Sequence, residues 1–283
     1  MRDEDLHASA PLRSSANKEP QNSASRAGVV IRSLSPGQVG DATALLTRMW
    51  GAPVVEAPLM VALGHAGNYV AGAFLEEELV GVCVAYFSQP LGHALHSHVT
   101  GVAPHAARRG VGMALKMHQR AWALERGLTQ VTWTFDPLVA RNAAFNLNRL
   151  RVEVAEYLVD FYGDMSDGVN RGQTSDRLLA RWDLTQPVVS TPHGDSRTAL
   201  PQASALVTEG RDGMPRMTVS HPQAAAISVA VPRDIESLRA HRPAAARAWR
   251  TAVREALGPA MRGGWTITSF TDHHYVLEAP DAD

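Results

Sequence analysis

A single cysteine, Cys83, stands in 283 residues, so no internal disulfide can form and a reducing, cytoplasmic setting is expected. An excess of either charge is missing too: 27 Lys and Arg against 28 Asp and Glu leave a formal net charge of -1. That balance offers no bulk attraction to nucleic acid or to an anionic membrane, so any anion-binding site has to be local. No apolar run approaches the roughly 18 residues of a membrane span. The opening "MRDEDLHASAPLRSSANKEPQNSASRAG" lacks an apolar core of signal-peptide length and is expected as a disordered tail over residues 1–27. The histidines, His273 and His274 included, form no metal-ligand spacing with acids or with Cys83, so no metal is expected.

What is present is a 45% hydrophobic chain with clear punctuation. "VVIRSLSP" reads as a strand, with helices over 37–50 and 58–65 behind it. "NYVAGAFL", "ELVGVCVAYFS" and "ALHSHVTGVAP" read as three strands, the first two joined by a hairpin at "EEE". From Val111 a helix places Ala114, Met117, Ala121 and Leu124 on one face and ends with Gly127 at C′. "QVTWTF" is a strand, "ARNAAFNLNRL" a second crossover helix, and "VEVAEYLVDFYG" and "SDRLLARWDL" complete an α/β domain over 28–185. Residues 186–225, rich in Pro, Ser, Thr and Gly, read as a linker with one short strand. Over 226–283 a small β-α-β-β unit follows, its helix presenting Ala246, Trp249, Val253 and Leu257. At that size it is expected to dock on the first domain.

The stretch "PHAARRGVGMALKMHQRAWALERG" poses the functional question. Helix starts favour Ser, Thr, Asp or Asn caps and acids in the first turn. Here Arg108, Arg109, Gly110 and Gly112 occupy the start instead. Unpaired first-turn amides and the positive helix end suit a phosphate, glycines let a ligand approach the backbone, and arginines add charge-assisted hydrogen bonds. No Gly-Lys-Ser/Thr follows, and Leu115 stands where the dinucleotide fingerprint needs its third glycine. Taken alone, Gly-x-Gly leaves a plain turn equally open.

Antiparallel strands, "GVAPHAARRGVGMAL", a strand and then "ARNAAFNLNRLRV" resemble the GNAT superfamily of coenzyme A-dependent N-acyltransferases. The likeness spans 28–184 and implies a GNAT-like mixed central sheet flanked by helices. The family's Gln/Arg-x-x-Gly-x-Gly/Ala falls on 107–112, with Ala107 in the first position. The resemblance implies that this turn holds the pyrophosphate of an acyl-coenzyme A. The contact set it implies is Val102, Ala107, Arg108, Arg109, Gly110, Val111, Gly112, Met113 and Asn142. "SHVTGVAP", "VTWTFDPLVARNAAFN", "SDRLLARWDL" and the later "VPRDIESLRAHRPAAARAWRTAVREAL" are similar to a bacterial branch associated with N-succinylation of amino acids. Acetyl-CoA or succinyl-CoA is therefore the implied donor, and an amino acid the implied acceptor.

Amide formation from a thioester is helped by a base that takes the ammonium proton. "LHSHVTG" places His96, His98 and Thr100 at strand period 2, hence on one face. Histidine ordinarily titrates near 6.5. The family carboxylate base maps to His96, and a Ser-His pair of the narrower branch maps to His98, which is the preferred base. The family tyrosine that protonates the thiolate maps to Leu147. Tyr157 or Tyr162 stands in for it, or each simply packs. Asn142 and Asn146 lie four apart on the crossover helix. Asn146 and Asp136 are candidates for the acceptor amine, Asp136 alternatively as a turn residue, and Arg141 or Arg151 for a carboxylate clamp. Transfer is expected to be direct, in a ternary complex, because Cys83 lies on a central strand and no other thiol exists. The rival reading keeps the fold without catalysis, as an acyl-CoA-binding or regulatory module. Homodimerisation is left open.

Overall fold

Between Tyr69 and Phe135 the strands and the helix among them follow the apolar patterning in the computed structural model, which describes residues 10–163, 173–188, 203–218 and 224–280. Two compact units are present: Met1–Trp133 with Asp183–Pro187, and Thr134–Trp182 with Val188–Asp283. The division falls inside a strand, earlier than the 185/186 boundary read from composition.

In the first unit come helix α1 (Ala10–Ala27), strand β1 (Val30–Ser33), helices α2 (Val39–Trp50) and α3 (Ala57–His65), and strands β2 (Tyr69–Leu75), β3 (Glu78–Ser88) and β4 (Ala94–Val102). Helix α4 (Val111–Glu125) and strand β5 (Gln130–Phe135) follow, β5 running on into the second unit. β1 to β4 pair antiparallel in sequence order, and β5 joins β4 parallel, as a crossover through a helix requires. Helices cover both faces of this sheet. A Cβ on Gly101 would meet Leu46, Met49 and Trp50 of α2, whereas one on Gly81 would meet Val111 and Leu115 of α4.

Residues 10–27 form a helix where the sequence predicts a disordered tail. α1 packs along α4 and ends in buried Ala27. Glu19 accepts a 3.0 Å hydrogen bond from Arg120, which is buried on α4 and also donates to the carbonyls of Leu184 (2.8 Å) and Gln186 (3.0 Å). Packing and this ion pair supply what the polar composition of α1 does not.

The second unit holds helix α5 (Ala140–Ala144), which widens into a π turn at Phe145–Arg149, and strands β6 (Glu153–Leu158) and β7 (Arg177–Asp183). Strands β8 (Ser204–Glu209), β9 (Pro215–Met217) and β10 (Ala226–Ala230), helices α6 (Ile235–His241) and α7 (Pro243–Arg262), and strands β11 (Thr266–Thr271) and β12 (His274–Glu278) complete it. The first sheet has the order β1-β2-β3-β4-β5-β7-β6 and is mixed; the second has the order β11-β12-β10-β8-β9. The segment read as a linker thus supplies β8 and β9, while residues 189–202 and 219–223 lie outside the described residues. Ala246, Trp249, Val253 and Leu257 of α7 are all fully buried, as their spacing predicts.

A network of buried charge joins 134–182 to the C-terminal helices. Asp136 accepts 2.9 and 2.8 Å hydrogen bonds from Arg250 and one of 2.5 Å from Arg239, with Arg177 at 4.0 Å. Burial by itself pushes the Asp136 carboxyl pKa up; Arg250, Arg239 and Arg177 outweigh it and hold the group below the usual carboxylate range. Asp176, buried on the adjoining segment, accepts from Tyr157 Oη (2.7 Å) and from Arg254 (2.8 and 2.5 Å). Removing one member of a buried ion cluster strands the others. Asp136→Ala is therefore expected to destabilise the fold by about 3–5 kcal/mol, read as a lowered urea midpoint.

Candidate functional site

At the end of β4 the chain makes a 3-10 turn at Pro104–Ala106, passes through extended Ala107 (φ -62°, ψ 152°), and enters the left-handed region twice. Arg108 has φ 64° and Gly110 φ 89°. Glycine adopts that geometry freely, but an arginine there costs about 1–2 kcal/mol. Gly110 is the N-cap of α4 and supplies no side-chain cap. The first bond of the helix runs from Ala114 N–H to Gly110 O at 2.9 Å, so the amides of Val111, Gly112 and Met113 precede any i to i−4 acceptor. Ala107, Arg108 and Arg109 are exposed beside them, and Val102, Gly112 and Met113 half-buried. A Cβ on Gly112 would meet only Val102 Cγ2, at 4.0 Å. Packing does not require glycine there, and its effect is to leave the amide face open to a ligand. Open amides, the positive end of a 15-residue helix and two arginines together give this turn the chemistry to attract an anion.

Beside the turn, β4 carries a β-bulge. Val99 pairs with Val84 and Ser97 with Ala85, which leaves His98 as the extra residue. The bulge resets the alternation. His96 and His98 both approach the Tyr86 ring, at centroid distances of 5.4 and 6.0 Å. Thr100 is turned to the α4 side instead, where its Oγ1 lies 3.2 Å from Cys83 Sγ. The common face predicted for all three residues therefore holds only for the histidines. β4 and β5 pair only at Ala94, Leu95 and His96. There His96 Nδ1 contacts Thr132 Oγ1 at 3.0 Å. Burial, then the neighbouring His98 and Lys116, lower the His96 pKa to about 4. His98 is exposed.

Sequence reasoning passed over the polar cluster beneath the bulge. Lys116, Gln119 and Ser97 are buried, and Lys116 Nζ donates to Ser97 Oγ at 2.9 Å. The stripe predicted for α4, with Ala114, Met117 and Ala121 buried, is only part of its buried surface. Val111, Leu115, Lys116 and Gln119 reach toward the strands, and α1 packs on the helix as well. The burial of Arg120, which bonds Glu19 of α1, is legible only once α1 is known to exist.

The remaining candidates lie in the second unit, each with its own surroundings. Asp136 is enclosed by guanidiniums, a position that serves the fold and leaves no place for a substrate ammonium. Arg141 is exposed and paired bidentately with Glu236. Asn142 is exposed whereas Asn146 is buried, since the helix widens to a π turn at Phe145 and i, i+4 no longer share surroundings. Tyr157 is buried with its hydroxyl given to Asp176, and burial, then the Asp176 charge, raise its pKa, which is unsuited to proton donation. Tyr162 is 40% exposed and its hydroxyl lies 3.0 Å from Thr134 Oγ1. Arg151 is exposed at φ 56°, and Leu147 is buried.

Among the described residues no group of three or more His, Cys, Asp or Glu is placed to hold a metal, and no helix is long and apolar enough to cross a membrane. A scan against protein-family models finds no match, nor does a search of curated proteins. Solved structures do show a likeness. One is the ribosomal-protein-S18-alanine N-acetyltransferase from Escherichia coli: 13% identity, 58% of this chain and 99% of that one, TM-score 0.47. Another is a GNAT superfamily phosphinothricin acetyltransferase from Sinorhizobium meliloti in complex with AcCoA: 14% identity, 60% and 97% coverage, TM-score 0.47. A third is an N-acetyltransferase from Staphylococcus aureus Mu50, at 13% identity, 55% and 98% coverage and TM-score 0.46. These likenesses concern the fold alone. The chain itself has a mixed central sheet between helices, with an added C-terminal sheet-and-helix unit.

The two glycines of the turn are expected to separate in a stability assay. Gly110→Ala, forced to φ 89°, lowers stability by about 1–2 kcal/mol. Gly112→Ala, inside α4 with room for its Cβ, is neutral or stabilising by up to about 1 kcal/mol. Lys116 gives a pH signature. Burial lowers its pKa to about 8, partly offset by Cys83, while the unfolded side chain keeps its proton to about pH 10.4. Between those values the unfolded state binds more protons, so the Lys116 contribution to stability rises with pH. Denaturant melts of Lys116→Met are expected to lack that rise.

Proposed function

We propose that the chain is an acyl-coenzyme A-dependent N-acyltransferase acting on a primary amine, with an amino acid the preferred acceptor and acetyl or succinyl the acyl group. The observation that carries this reading is the uncapped, arginine-flanked start of α4, which follows directly on the strand bearing the His96–His98 bulge. The amides of Val111, Gly112 and Met113, with Arg108 and Arg109, would hold the pyrophosphate, with Val102, Ala107 and Gly110 completing the contact set. Coenzyme A supplies an acyl thioester, whose thiol, with a pKa near 8.5 by analogy with cysteine, is a fair leaving group.

His98 is the base in this reading: it takes one proton from the acceptor ammonium, the amine nitrogen bonds the acyl carbon, and the carbon–sulfur bond breaks as the nitrogen's second proton passes to the departing thiolate. His96, held to about 4 and engaged by Thr132, is too weak a base. Asp136, Arg141 and Tyr157 are left out of the chemistry because Arg250, Glu236 and Asp176 already engage them. With Cys83 buried, no acyl-enzyme step is invoked and transfer is direct. One arrangement favours a second reading, a non-catalytic acyl-CoA-binding module: Leu147 is buried where the superfamily resemblance places an acid tyrosine.

Thiol release from acetyl-CoA and succinyl-CoA, measured with a panel of D- and L-amino acids, tests the proposal. Amine-dependent release with one donor is the expected result, and His98→Ala is expected to lower it by about 10²–10⁴-fold while leaving coenzyme A binding intact. Binding without release across the panel would turn the reading toward the non-catalytic module.

A further inference from the structure

An ammonium lies beneath the bulged strand without a carboxylate. Lys116 is 5% exposed, and among the described residues no acid comes within ion-pair distance of it. Its Nζ donates to Ser97 Oγ at 2.9 Å and to Gln119 Oε1 at 3.2 Å, and sits 3.9 Å from the Trp133 ring centroid. Gln119, fully buried, donates in turn to Ser97 Oγ at 3.1 Å and to Cys83 Sγ at 3.3 Å. Burying an ammonium without a counter-charge is costly, and an apolar side chain of the same length fills such a space more cheaply. The network converges on one strand position. Ser97 is the residue immediately before the bulge, and Lys116 rides the same helix that opens at the glycine turn.

We propose that Lys116 is a positioning residue: by holding Ser97 from the helix side it sets the β4 bulge that turns His96 and His98 together toward Tyr86, in fixed relation to the start of α4. For catalysis this rests on the acyltransferase reading; the structural part stands without it. The groups facing His96 in this unit are His98 on its own strand, Tyr86 on β3, Thr132 on β5 and Lys116 on α4. A positive charge beside an imidazole opposes its protonation, so loss of the Lys116 ammonium moves His96 titration upward from about 4.

The test uses Lys116→Met, Ser97→Ala and the double variant in the full chain, with thermal melts, histidine and backbone NMR, and donor kinetics. Three results are expected: folded variants, shifted amide signals for residues 96–99 in both single variants, and upward movement of His96 titration in Lys116→Met. Turnover is expected to fall about 10- to 100-fold with the donor KM changed less than about twofold. The double variant should be no worse than the poorer single one, since both cut the same link. Unshifted 96–99 signals in folded Lys116→Met and Ser97→Ala would overturn the proposal. So would a parallel loss of stability, donor KM and turnover, which marks a merely structural lysine. If the wild-type chain transfers no acyl group, the acyltransferase reading fails while the NMR comparison still decides the positioning claim.

Discussion

Everything proposed for this chain depends on how α4 begins. A helix start exposes amide hydrogens that must find acceptors, and proteins usually meet the need with a capping side chain. Here the N-cap is glycine, the first turn holds no acid, and the preceding Arg108 is bent into a conformation unfavourable for its type. Local stability is spent to keep a row of amides facing outward. In the proposed reading an anion sits there, and the neighbouring strand gains its relevance from that: His98, the bulge residue, lies four residues before Val102, at which β4 ends, and His96 six.

The second unit shows the opposite use of charge. Asp136 and Asp176 are surrounded by Arg177, Arg239, Arg250 and Arg254, drawn from β7, α6 and α7. Buried ion clusters of this kind are weak sources of net stability but strong specifiers of arrangement, since each member is costly to leave alone. Through them residues 134–182 and the C-terminal helices make one compact unit, and residues with the chemistry of an active site act as structural members.

Much of the fold was legible because its cues are local. α2, α3, α4 and the strands from β2 to β5 follow from apolar spacing and turn residues, and the anion turn from its glycines and arginines. What escaped depends on distant partners. α1 has no apolar stripe to announce it and is held by Arg120, about a hundred residues away in sequence. The role of Asp136 is set by Arg250 of α7, 114 residues further on, and that of Tyr157 by Asp176, which Arg254 of α7 engages in turn. β8 and β9 hide in a Pro- and Ser-rich stretch because pairing, of β8 with β10 and of β9 with β8, rather than intrinsic propensity makes them strands. The bulge is invisible in "LHSHVTG", whose regular alternation predicts a flat strand and the wrong face for Thr100.

The account stands or falls on whether the α4 turn recognises the diphosphate part of a coenzyme A. Titration calorimetry comparing coenzyme A with pantetheine, which shares the thiol arm but lacks the diphosphate and nucleotide, addresses it directly, with ADP as the complementary fragment. The account predicts measurable coenzyme A binding, at least about 100-fold weaker binding of pantetheine, and detectable binding of ADP, each charge-assisted contact contributing about 1.5–3 kcal/mol. Equal affinity for coenzyme A and pantetheine, or no binding of either, would contradict it.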